Sequence, residues 1–326
     1  MSKLLTVSPS PHVHSTDTTP KIMYRVVYAL IPALLWSVFV FGLDALRVTL
    51  IAVVACLAFE YVIQKYLMNV KPSVTDGSAL VTGILLAFNV PANLPVWIII
   101  IGALASIGIG KLSFGGLGAN IFNPALVGRV FLLISFPVQM TSWPVNRQSD
   151  VDGVTSATPL GIIKEGLTNG TPIAEIQQKL PETADMLVGN IGGSLGEISA
   201  IFLILGGIYM LIRKVITWHI PVSVIVSTGL IAAVFWLVDP QNYINPVYHL
   251  LSGGLMLGAI YMATDMVSSP MTVKGQWIYG VGIGVITISI RLFGAYPEGI
   301  SFAILIMNAF TPLINTYVKP KRFGRN

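Results

Sequence analysis

Charged residues are scarce in this chain of 326 residues, making up 10% of it against 54% for hydrophobic residues. Soluble domains carry about 25% charged residues, so the chain has too little polar surface to cover a globule in water. This composition excludes an ordinary soluble enzyme and indicates an integral membrane protein. The net charge of +5 does not indicate nucleic-acid binding, because the basic residues are not gathered on one soluble face.

Cysteine is also nearly absent, and this limits the redox chemistry available to the chain. Cys56 is the only cysteine, so no internal disulfide forms, and an iron–sulfur cluster, which takes about four cysteine ligands, is excluded for this chain alone. The histidines at positions 12, 14, 219 and 249 have no helical spacing within one apolar run, so haem ligation is not expected. No metal site is predicted, and any electrons must travel on an organic cofactor.

Apolar segments near the length that crosses a bilayer, ~17–25 residues, recur ten times. The third, fifth and eighth are short or interrupted by Gly, Asn or Pro. The ten segments are Tyr24–Leu43, Leu46–Met68, Ser78–Val90, Val96–Gly110, Leu117–Phe136, Gly196–Ile212, Ile220–Val238, Tyr248–Thr264, Trp277–Phe293 and Gly299–Val318.

The distribution of Lys and Arg predicts the orientation, because basic residues favour cytoplasmic loops. Most of the 19 basic residues fall inside when both termini are cytoplasmic, in the inner membrane. The predicted units are a cytoplasmic tail at 1–22, which is too polar for a cleaved signal peptide, five spans over 23–136, an outer loop at 137–195, five spans over 196–318 and a basic tail at 319–326. Within the outer loop, Pro172–Leu187 predicts one surface helix with Thr171 as its cap.

A weak internal repeat relates the two halves. The third segment resembles the eighth and the fifth resembles the tenth, each with small residues, then Asn or Asp, then Pro. Five spans per half make the halves opposite in topology. The sequence therefore predicts an all-α membrane fold of about ten transmembrane helices in two inverted five-helix repeats, with broken helices that meet near the midplane and line a binding cavity.

A polar stretch in the outer loop carries the most specific motif of the chain. Read alone, this Gly- and Ser/Thr-rich segment is an ordinary turn. Its pattern, Asp152-x-x-Thr155-Ser156-Ala157-Thr158, resembles the flavinylation motif of the NqrB/RnfD family, the membrane subunits of the Nqr and Rnf respiratory complexes. The resemblance implies FMN joined to the Thr158 side-chain oxygen through a phosphoester. Asp152 would serve mainly in recognition by the flavin transferase, and Thr155, Ser156 and Ala157 complete the motif.

The resemblance extends over 23–319 and is nearer to the Rnf type, because the N-terminal tail is short. It implies an electron-carrying subunit, without a complete active site of its own, in a membrane hetero-oligomer that couples electron transfer between ferredoxin and NAD to Na⁺ or H⁺ translocation. Its expected partners are other Rnf subunits, above all the G subunit, whose covalent flavin faces the same side, and the membrane subunits. The alternatives are a channel or transporter for a small neutral solute, or a scaffold with a vestigial motif.

Polar residues inside the apolar segments are the remaining candidates. Asn120 and Asn123 offer amides to a second flavin, a non-covalent riboflavin that the family resemblance favours, or they satisfy the backbone freed by Pro124. Glu60 is a candidate for a cation path, because a buried acid is costly in a membrane. The alternative, which we prefer, is that Glu60 pairs with Lys65 as a structural anchor.

Overall fold

The computed structural model describes residues 17–144, 157–189, 191–197 and 199–320. Regular structure in these ranges is helical, with no strand, and six helices are long and apolar enough to cross a membrane. The predicted fold class, an all-α multi-pass membrane protein, is therefore confirmed.

Five membrane elements precede the central loop, and α1 begins at Thr19, within the predicted N-terminal tail at 1–22. π-turns over Ile63–Leu67 and Ala105–Ile109 continue the second and fourth elements. The five are α1 (Thr19–Phe41), α2 (Leu43–Val62), α3 (Ser78–Phe88), α4 (Val96–Leu104) and α5 (Pro124–Ser135).

The described parts of the central loop hold four short helices. They are α6 (Pro137–Met140), α7 (Pro159–Thr168), α8 (Ile173–Lys179) and α9 (Thr183–Val188). The prediction of a single helix over Pro172–Leu187 is wrong. The chain breaks at Leu180, which is extended with ψ near 144°, because the residue before a proline, here Pro181, disfavours helical geometry.

The second half repeats the order of the first. Its elements are α10 (Ala200–Ile212), α11 (His219–Val238), α12 (Pro246–Leu251) with α13 (Leu255–Leu257) and a π-turn over Gly258–Met262, α14 (Val273–Phe293) and α15 (Ile300–Tyr317). Each of the ten predicted apolar segments coincides with one of these elements or with one in the first half.

Several of these elements are too short to span a bilayer as one helix. α3 has 11 residues and α5 has 12, which is about 17–18 Å at 1.5 Å per residue, against a hydrocarbon core of about 30 Å. α5 begins at Pro124 because proline fits the first helical turn, and Asn123 caps it by accepting hydrogen bonds from the backbone N–H groups of Ala125 and Leu126.

The broken elements meet one another inside the protein. The Asn123 side chain donates to the Met262 carbonyl at 3.2 Å, and the Asn89 amide, at the end of α3, lies 3.7 Å from the Met262 sulfur. The ends of the third, fifth and eighth elements are therefore adjacent. Buried protein contacts of this kind satisfy backbone that no lipid can hydrogen-bond.

Helices at equivalent positions in the two halves pack against each other. α1 packs on α10 and α5 packs on α15, so the first and the fifth element of each half contact their counterparts. The Tyr261 hydroxyl contacts the carbonyls of Ala29 in α1 and Leu203 in α10, at 3.2 and 3.1 Å. Gly206 of α10 lies at the same junction.

Substitution of Gly206 by alanine is expected to weaken this junction. A Cβ at Gly206 would lie 2.1 Å from the Ala29 carbonyl oxygen and 2.0 Å from the Tyr261 hydroxyl, and overpacking of this kind costs about 1–3 kcal/mol. Gly108→Ala is the matched control, because the nearest atoms to its Cβ would be 3.7 Å away. Thermal unfolding in detergent should show a lower Tm for Gly206→Ala alone, and equal Tm values for the two variants would contradict the packing.

Candidate functional site

Thr158 is the N-cap of α7. Its hydroxyl accepts a hydrogen bond from the Gly161 N–H at 3.1 Å, and Pro159 occupies the first helical position. α7 packs against α8 through an apolar cluster that includes Leu160 and Ile163 of α7 and Ile176 of α8. The threonine hydroxyl therefore lies at a rigidly held helix N-terminus, where the helix dipole favours negative charge.

The other motif residues lie partly outside the described structure. Asp152, Thr155 and Ser156 belong to the stretch 145–156, which is not described, while Ala157 is exposed beside Thr158. The structure therefore locates the proposed acceptor residue of the motif.

A cavity of about 190 Å³ opens beside Thr158, and we call it the outer cavity. Thr158 lines this cavity and is only 6% exposed. Three aromatic residues, Trp143, Tyr296 and Phe302, line the same space, and Arg129 and Glu298 line it as well. An apolar cavity with a few convergent polar groups is the usual form of a cofactor site.

Arg129 is the centre of a buried charge cluster at the edge of the outer cavity. The side chain is 5% exposed and its guanidinium forms ion pairs with Glu197, at 3.2 Å, and with Glu298. It also donates to the Asn89 side-chain oxygen at 2.6 Å. A guanidinium can serve several acceptors at once because it carries five donors in a fixed plane.

The cluster joins the two halves of the protein. Arg129 lies on α5, Glu197 precedes α10 and Glu298 precedes α15. Gly254 packs against the cluster, since a Cβ there would lie 3.0 Å from a Glu197 oxygen and 3.2 Å from an Arg129 nitrogen. A side chain at position 254 would therefore crowd the ion pair between Arg129 and Glu197.

Arg129 falls within the fifth predicted apolar segment, Leu117–Phe136, but the sequence indicated no partner for it and did not single out Glu197 or Glu298. An arginine inside an apolar segment was a usable signal, because such a residue normally has an acidic partner in the protein interior. The partners themselves stand 68 and 169 residues away in the chain, so no local pattern could identify them.

A second cavity, of about 80 Å³, lies among the broken elements, and we call it the inner cavity. Asn120 and Asn123 both line it, together with Lys111 and Asp265. Asn123 already serves as the helix cap described above, whereas the Asn120 side-chain oxygen is buried without a hydrogen-bond partner in the described residues. A cavity of ~150 Å³ is known to hold one benzene ring, so the inner cavity is small for a three-ring flavin.

Glu60 does not pair with Lys65, and the predicted anchor is wrong in its partner. Glu60 is 0% exposed and forms an ion pair with buried Lys111 at 2.6 Å. Lys65 instead donates to the Tyr61 hydroxyl at 2.8 Å. Residues five apart do not share a helix face, whereas Lys111 enters from the end of the fourth element and also donates to the Ser78 hydroxyl.

These features define a multi-pass membrane protein of broken helices, with one cavity beside Thr158 and another among the helix breaks. The chain belongs to the NQR2, RnfD, RnfE family, whose sequence model matches residues 6–324.

Individual relatives match over almost the whole length. The chain is 47% identical over 323 residues to the D subunit of the Na(+)-translocating ferredoxin:NAD(+) oxidoreductase complex of Acetobacterium woodii, covering 98% of this chain and 95% of the relative. It is 44% identical over 322 residues to the D subunit of the proton-translocating ferredoxin:NAD(+) oxidoreductase complex of Clostridium ljungdahlii, covering 98% and 96%.

Removal of the Arg129 charge is expected to destabilise the protein strongly. Arg129→Met leaves two carboxylates without their shared cation, and breaking a buried ion pair costs about 3–5 kcal/mol. The control is Arg47→Met, since Arg47 pairs with Asp44 at 3.4 Å on the exposed surface, where such pairs contribute about 0–1 kcal/mol.

Thermal unfolding in detergent measures both variants. Adding Glu298→Gln to Arg129→Met should recover part of the lost stability, because one uncompensated charge disappears. An Arg129→Met protein that unfolds at the same temperature as the Arg47→Met protein would contradict the assigned role of the cluster.

Proposed function

We propose that this chain is a flavin-bearing membrane subunit of an Rnf-type complex that couples electron transfer between ferredoxin and NAD to ion translocation. Membership of the family and the names of the two relatives support a role in an ion-translocating oxidoreductase. The relatives' names give different ions at similar identity, so we assign neither Na⁺ nor H⁺.

The observation that carries the flavin proposal is the placement of Thr158. FMN would be joined to its side-chain oxygen through a phosphoester, which sets a phosphate at the N-terminus of α7, where the helix dipole favours negative charge. The outer cavity borders the same hydroxyl, so part of an attached cofactor has space next to its anchor. When bound, FMN supplies one- and two-electron transfer, while this chain supplies attachment, position and electrostatics.

The proposal also covers the orientation of the chain in the membrane and its partner subunits. The connectivity of the helices puts exposed basic residues such as Lys21, Lys71 and Arg213 at the end opposite Thr158. By the preference of basic residues for the cytoplasmic side, both termini are cytoplasmic in the inner membrane and Thr158 faces outward. The partners are the flavin-bearing G subunit and membrane subunits of the complex, and a flavin transferase attaches the FMN.

The sequence also led us to expect a second, non-covalent riboflavin near Asn120 and Asn123. This stays a proposal, because the inner cavity would have to widen to admit it.

The rival function, transport of a small neutral solute, needs a path through the protein. No residue lines both cavities in the described part of the chain, but a transporter with alternating access needs no continuous path in one conformation. The motif around Thr158, for which a transporter has no evident use, favours the flavin proposal.

In-gel flavin fluorescence after denaturing electrophoresis tests the attachment, with the chain co-expressed with a flavin transferase. The parent band should fluoresce and the Thr158→Ala band should be dark, because that variant lacks the acceptor oxygen. Loss of the helix cap costs only about 0.5–2 kcal/mol, so Thr158→Ala should still elute as a folded protein in detergent.

Thr168→Ala is the matched control, since it removes another hydroxyl of α7, one that contacts the Lys164 carbonyl. It should keep its fluorescence. A dark parent band, together with a fluorescent control protein modified by the same transferase, would refute the attachment.

A further inference from the structure

The charge cluster brings two carboxyl groups onto one nitrogen of Arg129. The same guanidinium nitrogen, Nη2, contacts an oxygen of Glu197 at 3.2 Å and an oxygen of Glu298. Glu298 is also a hydrogen-bonding neighbour of the Glu197 carboxyl. The Glu197 side chain is 3% exposed and that of Glu298 is 14% exposed, so two acidic groups lie side by side with little water to screen their charges.

The pair is short of one hydrogen-bond donor. An ionised carboxylate only accepts hydrogen bonds, and Oε1 of Glu298 is buried without a partner in the described residues. Like charges in contact also disfavour the ionisation of both groups, as in other buried carboxylate pairs. One proton on the pair removes one of the two negative charges and supplies the O–H donor that is missing.

Only one cation in the described part of the chain forms an ion pair with these carboxyl groups. The next guanidinium, that of Arg291 in α14, lies across Gly253, whose Cβ would be 3.1 Å from Arg291 Nη2 and 3.2 Å from Glu298 Oε1. The terminal nitrogens of Arg291 donate to the backbone carbonyls of His249 and Ser252. Arg291 is therefore occupied by backbone acceptors, and one of the two carboxyl groups has no cation of its own.

Glu298 connects the pair to the outer cavity, because it lines that cavity and is the more exposed of the two acids. The charged and titratable groups on the elements around the pair are Arg129 of α5, Lys164 and Glu165 of α7, His249 of α12 and Arg291 of α14. Among these, Arg129 alone contacts both carboxyl groups in the described structure.

We propose that Glu197 and Glu298 together bind one proton at neutral pH, and that this proton exchanges with the outer cavity through Glu298. The pair then carries a single negative charge, which Arg129 balances. Because Glu298 lines the cavity next to Thr158, negative charge gained in that cavity favours the protonated pair. The inference does not rest on the proposed function, since the pair lies within this chain and needs no cofactor.

Infrared difference spectroscopy tests the shared proton directly, because a protonated carboxyl has a carbonyl stretch apart from the carboxylate bands. The full chain is purified without a flavin transferase, so that no covalent flavin contributes carbonyl bands of its own. Glutamates in water have a pKa of about 4.3 and are ionised at neutral pH. The parent should therefore show a carboxyl band at neutral pH that shifts in D₂O and disappears as the pH is raised.

Three variants assign the band. Glu197→Gln and Glu298→Gln should each lose it, because the remaining carboxyl is left alone with Arg129 and ionises. Glu165→Gln is the matched control, since that acid lines the same cavity but is exposed, and it should keep the band. A parent without a band at neutral pH, or a band that survives in both Glu197→Gln and Glu298→Gln, would overturn the proposal.

Added NaCl distinguishes a proton from a metal cation as the ligand of the pair. A cation between two carboxylates would also satisfy their oxygens, and it would displace the proton. The carboxyl band should be the same with NaCl and with choline chloride at equal concentration and pH. Loss of the band in NaCl alone would assign the position to a cation and overturn the proton site.

The pH dependence of thermal unfolding gives a second readout. Above the pH at which the proton leaves, the parent carries a second buried charge, so its Tm should fall more steeply at alkaline pH than that of Glu298→Gln. The recovery of Arg129→Met by Glu298→Gln should likewise grow as the pH rises. Parallel profiles of Tm against pH for the parent and Glu298→Gln would contradict a proton shared by the pair.

Discussion

The way the two halves of the protein meet depends on the neutralisation of one buried guanidinium, that of Arg129. Arg129 contacts two carboxylates and an amide from segments far apart in sequence, and these segments belong to both halves of the chain. A buried ion pair adds little net stability, but removing one member leaves an uncompensated charge that is costly. The cluster therefore fixes how the halves meet more than how tightly they hold together, and it forms one wall of the cavity beside Thr158.

The breaks in the helices follow from the same requirement that polar groups be satisfied away from water. α3 ends at Asn89, whose side chain both accepts from Arg129 and donates to the Leu85 carbonyl. The carbonyl of Phe88 accepts from the Gly196 N–H at 2.9 Å. The unwound segments are thus paired inside the protein, which is the condition under which irregular backbone persists at membrane depth.

The sequence predicted the helical class, all ten apolar elements and the break at Pro124, because these follow from local composition and from proline. It failed where the outcome depends on distant contacts. Lys65 was the nearest base to Glu60 along the chain, yet Lys111, 51 residues away, forms the pair. Likewise the motif indicated Thr158, but the other residues that line its cavity come from Trp143, from α5, from the segment before α15 and from α15 itself. No local pattern connects these parts of the chain.

The proposed function requires that Thr158 carry FMN through a phosphoester. The most direct measurement is mass spectrometry of proteolytic peptides from the protein purified after co-expression with a flavin transferase. The peptide containing Thr158 is expected to be heavier by the mass of FMN less one water, with fragment ions that place the addition on that residue. An unmodified Thr158 peptide, or a flavin located on another residue, would contradict the claim.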